Sequence, residues 1–279
     1  MPGWTSRSLS PLPEPWPDGG NWIAEWMTID DETWYARISP TGDPDMPPIV
    51  MVHGLVVSGA YFRPVAAEMG DRYRILVPDL PGYGRSRSRR IWTVPSITTR
   101  LAQWMDLHDL QGAILVANSL GCQISTLLAV DRPDLVRGMV LVAPTLDPEV
   151  RSSLHLMLRG AIDIPREKQR LWRIWLPDFF RAGIRRSLAM LHQTMLDGPE
   201  QLARLPNVRQ PTLVVGGGVD PIVPAAWVKD MTRRMPNARH IILPGCSHAM
   251  NYSDPRNLAR AIDTVIAGQT WERHADPDR

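Results

Sequence analysis

Cysteine is scarce: the chain of 279 residues has only Cys122 and Cys246. Two thiols exclude a disulfide scaffold and a four-thiolate zinc site. Long apolar runs are missing as well. Residues 112–117 and 139–143 are among the longest, far below the roughly 18 residues of a membrane span. Stable membrane insertion is therefore not expected. No apolar segment follows the opening Met1-Pro-Gly-Trp-Thr-Ser-Arg7, so no secretory leader is expected and the cytoplasm is the default location. An excess of one charge is also absent. Lys and Arg total 31 against 29 Asp and Glu, a formal charge of +2, which excludes a nucleic-acid binder driven by bulk charge. Lysine occurs only at Lys168 and Lys229, so 29 of the 31 basic residues are arginine. GC-rich coding accounts for that bias without any function. The functional alternative is bidentate recognition of an anion.

What is present is ordinary globular material, with 44% hydrophobic and 22% charged residues. The length suits one or two domains with a sizeable core. Residues 1–21 hold Pro2, Pro11, Pro13, Pro15 and Pro17 and end near Asp18-Gly-Gly20, which reads as an irregular proline-rich arm. Trp4 and Trp16 would pin that arm to the body or serve a homodimer. Residues 22–39 alternate apolar and polar positions, the pattern of two antiparallel strands turning at Asp30-Asp31-Glu32. From residue 48 the pattern changes to short continuous apolar runs at 48–53, 74–78, 113–117, 139–143, 212–216 and 240–244. Such runs are strands buried on both faces. Helix-length segments lie near 60–70, 95–109, 120–131, 222–235 and 255–268. The alternation predicts an α/β fold: a mostly parallel sheet of about eight strands with helices on both faces. It fails between 146 and 206, which reads as a helical cap over the strand ends. The core then comprises 22–145 and 207–270, with a polar tail at 271–279.

The strongest chemical signal is Ala117-Asn118-Ser119-Leu120-Gly121, placed between a buried strand and a helix. A nucleophile on so sharp a turn needs small residues two positions to either side, and Ala117 and Gly121 supply them. The helix opening at Leu120 directs free N–H groups at the reacting centre. Taken alone, the five residues fit a serine N-cap equally well. Two later placements decide between them. Asp220 follows the next-to-last strand and His248 the last, and sheet geometry brings all three to one edge. Isolated, Asp220 would be a turn residue before proline and His248 a solvated loop histidine.

The order Ser119, Asp220, His248 resembles the α/β-hydrolase fold family, over essentially all of residues 22–268. His53-Gly54 resembles that family's oxyanion loop, and Asp79-Leu-Pro-Gly-Tyr-Gly-Arg-Ser86 matches its D-x-x-G-x-G-x-S loop. Alanine at 117, where the family usually has glycine, is a departure. The resemblance implies a Ser119 nucleophile, His248 as base, Asp220 as its orienting acid, and backbone N–H groups of Leu55 and Leu120 as the oxyanion hole. His53, Gly54, Trp172, Trp175 and Met250 are candidates for substrate contact, His53 more for ordering its loop than for proton transfer. Neither cofactor nor metal is expected, and the partner is a small-molecule substrate.

Serine at 119 argues against epoxide hydrolases and haloalkane dehalogenases of this fold, which use aspartate. The reading is a carboxylic ester, lactone or thioester hydrolase. Carbon–carbon bond hydrolysis of vinylogous diketones is a rival, since Asn118-Ser119-Leu120-Gly121 resembles that group's turn. Ala117, Cys122 and the loop Gly54-Leu-Val-Val-Ser-Gly59 depart from it. Haloperoxidase-like and acyltransferase activities share the triad, and a non-catalytic ligand receptor can retain it. Residues 151–186 hold eight arginines and one lysine against Asp163, Glu167 and Asp178, a balance of +6. This is a solvated cap face or a device that steers an anionic substrate. The apolar cap residues point to a largely apolar substrate.

Overall fold

The computed structural model describes residues 4–13, 22–29, 32–39, 41–150 and 152–268. The strands are β1 (Trp4–Pro11), β2 (Ile23–Ile29), β3 (Glu32–Ile38), β4 (Ile49–Val52), β5 (Ile75–Asp79), β6 (Ala113–Asn118), β7 (Val136–Val142), β8 (Thr212–Gly217) and β9 (Ala238–Leu243). They form a single nine-stranded sheet in the order β1-β2-β3-β5-β4-β6-β7-β8-β9. The pairs β1–β2, β2–β3 and β3–β5 are antiparallel, and the remaining neighbours pair parallel. Every residue of β4, β5, β6 and β8 is buried, as strands covered by helices on both faces must be.

The helices are α1 (Arg63–Met69), α2 (Val94–Leu107), α3 (Leu120–Asp131), α4 (Ser153–Asp163), α5 (Trp172–Ala182), α6 (Ile184–Arg204), α7 (Ala225–Arg234), α8 (Met250–Ser253) and α9 (Pro255–Ile266). Local chemistry sets their starts. Thr93 and Ser96 form a reciprocal capping box on α2, and Ser152 accepts from the His155 N–H to cap α4. Helices α4, α5 and α6 lie in the stretch between β7 and β8. Among the described residues no helix is long and apolar enough to cross a membrane.

The N-terminal arm corrects the sequence reading. Residues 4–11, expected from their prolines to be irregular, pair with β2 as an antiparallel edge strand. An edge strand tolerates proline, and Pro11 sits at its last position. Arg7 anchors the strand by an ion pair of 2.6 Å to the fully buried Glu25 of β2. Glu25 also accepts from Trp104 and contacts His108 at 2.8 Å. Burial raises the proton affinity of Glu25, but His108 and Arg7 outweigh it and hold the carboxyl below its usual range. Trp16, Asp30, Asp31 and the tail at 271–279 fall outside the described residues, as does the side chain of Trp4.

Candidate active site

Ser119 sits between β6 and α3 with φ 54° and ψ −116°. A non-glycine residue there is strained by about 1–3 kcal/mol. The bond from the Ser119 N–H to the Val142 carbonyl, 3.0 Å, helps to hold the turn. Gly121 explains why this geometry needs small neighbours. A Cβ there would stand 2.2 Å from the Val52 carbonyl oxygen, so α3 meets β4 only with glycine at that position. Leu120 opens α3, so no carbonyl four residues back within the helix can take its N–H.

His248 lies on the loop after β9, and its Nδ1 is 3.0 Å from Asp220 Oδ2. The other oxygen of Asp220 accepts from the N–H groups of Ile222 at 2.7 Å and Val223 at 3.0 Å. The carboxylate is thus fixed by backbone while it holds the imidazole. With Nδ1–H directed at Asp220, Nε2 is the nitrogen left for the reaction. Ser119, His248, Asn118, Gly54 and Leu55 all line one cavity of about 380 Å³.

A family model described as alpha/beta hydrolase family matches residues 49–261. The chain belongs to the α/β-hydrolase family. Among curated proteins, a pimeloyl-[acyl-carrier protein] methyl ester esterase of Nitrosomonas europaea is 26% identical over 246 residues, 78% of this chain and 95% of that protein. A magnesium-chelatase 30 kDa subunit of Rhodobacter capsulatus is 26% identical over 243 residues, 77% and 81% of the two chains. Among solved structures, a thermophilic esterase from Thermogutta terrifontis superposes with TM-score 0.69 at 21% identity, covering 88% of this chain and 94% of that one. That last likeness is one of fold.

Within this α/β-hydrolase scaffold, two substrate candidates are misplaced by the sequence reading. His53 is fully buried and does not line the cavity. Its Nε2 accepts from the Leu80 N–H at 2.8 Å and its Nδ1 lies 2.7 Å from the Gly54 carbonyl. Burial lowers its pKa to about 4, over the opposing pull of Asp79, so it stays neutral and ties the loop at Gly54 to the end of β5. Met250 is likewise fully buried, in the core and away from the cavity wall. Gly54, Trp172 and Trp175 do line the cavity. Trp172 meets Trp175 edge-on at 5.6 Å, and Trp175 stacks on Phe179 at 5.4 Å. Cys122 and Cys246 are buried small residues outside the lining.

The arginines of the cap do not line the cavity. No lysine or arginine is among its described lining residues, whereas Asp163 and Glu167 are. Arg159 instead pairs with Asp147 at 3.0 Å, and Arg186 donates to the carbonyls of Gly82 and Ser88. The arginines therefore brace the cap on the core or face solvent.

Three residues at the site escaped the sequence reading. Tyr61 donates to Asn118 Oδ1 at 2.6 Å and accepts from the Gly54 N–H at 3.2 Å. Asn118 in turn donates to the His248 carbonyl at 3.2 Å. One buried hydroxyl thus links the Ser119 turn, the loop at Gly54 and the His248 loop. The available signal was a tyrosine among apolar residues at the turn before α1, since a buried phenol needs a polar partner. Tyr61→Phe leaves the Gly54 N–H and the Asn118 carbonyl short of a partner, a cost of about 1–3 kcal/mol. The expected result is a kcat about tenfold lower with KM for an apolar ester little changed. Steady-state kinetics checks this, and an unchanged kcat contradicts the linking role.

Asp163 and Glu167 are the other two. Ser247 donates to Asp163, and the Ala249 N–H donates to Glu167 at 2.7 Å. The cap therefore grips the loop on both sides of His248. Burial, with Asp163 beside it, raises the Glu167 pKa to about 7 against the pull of the Ala249 N–H and His248. Burial of His248 opposes its charge, but Asp220, Asp163 and Glu167 outweigh this and lift its pKa to about 9. The neutral imidazole thus grows in as pH rises from neutral toward 9, and kcat/KM for an uncharged ester is expected to rise with it. Glu167→Gln removes a negative charge that favours the imidazolium, so the midpoint of that rise moves to lower pH. A pH–rate profile of both proteins reads the shift, and an unmoved midpoint overturns the electrostatic account.

Proposed function

We propose that this chain is a serine hydrolase that cleaves carboxylic esters of small, apolar, uncharged molecules, lactones and thioesters included, through an acyl-enzyme on Ser119. The observation carrying this reading is the 3.0 Å contact of His248 Nδ1 with Asp220, in a loop facing the same cavity as the strained Ser119 turn. His248 Nε2 takes the Ser119 proton as Oγ attacks the carbonyl, and returns it to the leaving alcohol. Asp220 holds the tautomer and stabilises the imidazolium. The N–H groups of Leu55 and Leu120 are assigned to the developing oxyanion, each worth about 2.7–4 kcal/mol of barrier. Water then attacks the acyl-enzyme by the same proton path in reverse.

The names of the curated relatives, which include methyl ester esterases, support ester cleavage. The cavity wall supports an apolar, uncharged substrate class. Leu156, Leu171, Trp175, Phe179 and Leu191 make it apolar, and Asp163 and Glu167 supply its acidic groups. A substrate carboxylate would meet two carboxyls there and no lysine or arginine to pair with. Paired p-nitrophenyl esters, one of a neutral acyl chain and one of a dicarboxylic half-ester of equal length, test this. The neutral ester is expected to turn over at least about tenfold faster in kcat/KM, the effect of roughly 1.4 kcal/mol. Preference for the half-ester would overturn the assignment of an uncharged substrate.

A further inference from the structure

The cap carries an unusual outer surface. Of the fifteen large apolar side chains exposed among the described residues, ten lie between Leu154 and Leu196. On α4, Leu154, Leu158 and Ile162 repeat every four residues and are 65%, 57% and 50% exposed. Leu176 and Phe180 continue the surface on α5, and Ile184 and Leu188 on α6. Spacing of this kind puts each set on one helix face. Three residues join this surface to the cavity. Met157 of α4, Trp172 of α5 and Leu188 of α6 are exposed and also line the cavity. The cavity mouth therefore opens where the apolar faces of the three helices meet.

The charges interleaved with these apolar groups have one sign. Arg166, Lys168, Arg170, Arg173, Arg181 and Arg185 are exposed, whereas the three acids between 152 and 196 are turned inward, Asp163 and Asp178 buried and Glu167 half-buried. The side chains of Arg170, Arg173 and Arg185 make no ion pair or hydrogen bond among the described residues, while Arg181 pairs with Asp178. A surface combining exposed apolar side chains with unopposed guanidinium groups suits a layer with an apolar interior and a phosphate face.

We propose that this cap face docks on an anionic lipid surface, with the cavity mouth turned toward the bilayer. Phe180, Ile184 and the α4 leucines enter the boundary between headgroups and acyl chains, and the arginines bind lipid phosphates. No helix spans the bilayer, so attachment is peripheral and reversible. A second copy of this chain is a poor occupant of the same face. In a two-fold dimer the patch meets itself, and six exposed cations would oppose six. Given the hydrolase reading above, the consequence is that apolar esters dissolved in a membrane reach the mouth without crossing water.

Flotation with vesicles tests the proposal, with phosphatidylcholine alone compared to phosphatidylcholine containing phosphatidylglycerol. The whole chain is expected to float with the anionic vesicles, to bind the neutral ones far less, and to lose binding as salt is added. Leu176→Ser with Phe180→Ser, and separately Arg173→Gln with Arg185→Gln, should weaken binding, by about fivefold for each arginine removed. Turnover of a water-soluble ester should be unchanged in both variants, which also shows that they fold. Arg233→Gln with Arg234→Gln, a pair on α7 outside the cap, should bind like the parent. Ser119→Ala should float like the parent too, so lipid docking and hydrolysis can fail separately. The proposal is overturned by equal flotation with neutral vesicles, by no flotation at low salt, or by equal loss in the α7 pair. A dimer in light scattering that Phe180→Ser disperses would assign the face to a second copy and overturn it as well.

Discussion

Alanine in place of Ser119 is expected to lower kcat/KM for an apolar ester by about 10⁴- to 10⁶-fold, with the fold intact. The size follows from what the side chain alone contributes. Removing Oγ removes the acyl-enzyme route, and what remains is water attack assisted by the oxyanion donors and the cavity. Stability should hold, because alanine keeps the Cβ at the same φ of 54° and the Ser119 side chain caps no helix N–H. Asp220→Asn is the informative companion. The side chain keeps its shape and can still accept from the N–H groups of Ile222 and Val223, but it no longer stabilises the imidazolium. A loss of about 10⁴-fold is expected, with the pH midpoint of the remaining activity moved down. Circular dichroism of each variant beside its kinetics separates chemistry from folding.

The second large effect concerns stability, and it lies at Asp79. This fully buried carboxylate accepts from Arg37 at 2.7 Å, from the Gly59 N–H at 2.8 Å and from the Arg85 N–H at 2.8 Å. Arg37 is itself only 2% exposed. The Asp79 backbone carbonyl takes the Ser86 hydroxyl at 2.6 Å, and that hydroxyl receives the Tyr35 N–H at 2.9 Å. Gly84 completes the arrangement at φ 54°, where a Cβ would stand 2.2 Å from Asp79 Oδ2. Asp79→Asn removes the charge that faces the buried Arg37 guanidinium at 2.7 Å, a loss of about 3–5 kcal/mol. For a chain of this size that is a fall in Tm of roughly 10 °C. Adding Arg37→Met should recover part of the loss, since no buried cation then faces the neutral amide. Thermal melts of the single and double variants decide the matter. A double variant no more stable than the single one contradicts the ion-pair account.

The D-x-x-G-x-G-x-S stretch was therefore legible in sequence as a motif, while its physical role as a buried clasp between β3, β5 and the oxyanion loop was not. Other parts divide similarly. The apolar runs at 48–53, 74–78, 113–117, 139–143, 212–216 and 240–244 correspond to β4 through β9 because burial on both faces forces continuous hydrophobicity. Helix α3 begins and ends where its segment was read, at 120 and 131. The strand at 4–11 escaped because an edge strand exposes most of its side chains, and Ser6, Ser8 and Ser10 hide its period. Met250 and His53 were misread for one reason: proximity in sequence to a reacting residue says nothing about which way a side chain points. The acids Asp163 and Glu167 were legible only as a charge count. Contact with the His248 loop depends on how the cap folds back, and that information lies in long-range packing.

The most direct test of the central claim is the intact mass of the protein after incubation with a fluorophosphonate, beside Ser119→Ala. The account predicts one adduct on the native chain and none on the variant, because only a serine whose proton can pass to His248 displaces fluoride at a useful rate. A folded native chain that gains no adduct, or gains it equally in the variant, would contradict an activated Ser119 and leave the cavity as a site that binds without turnover.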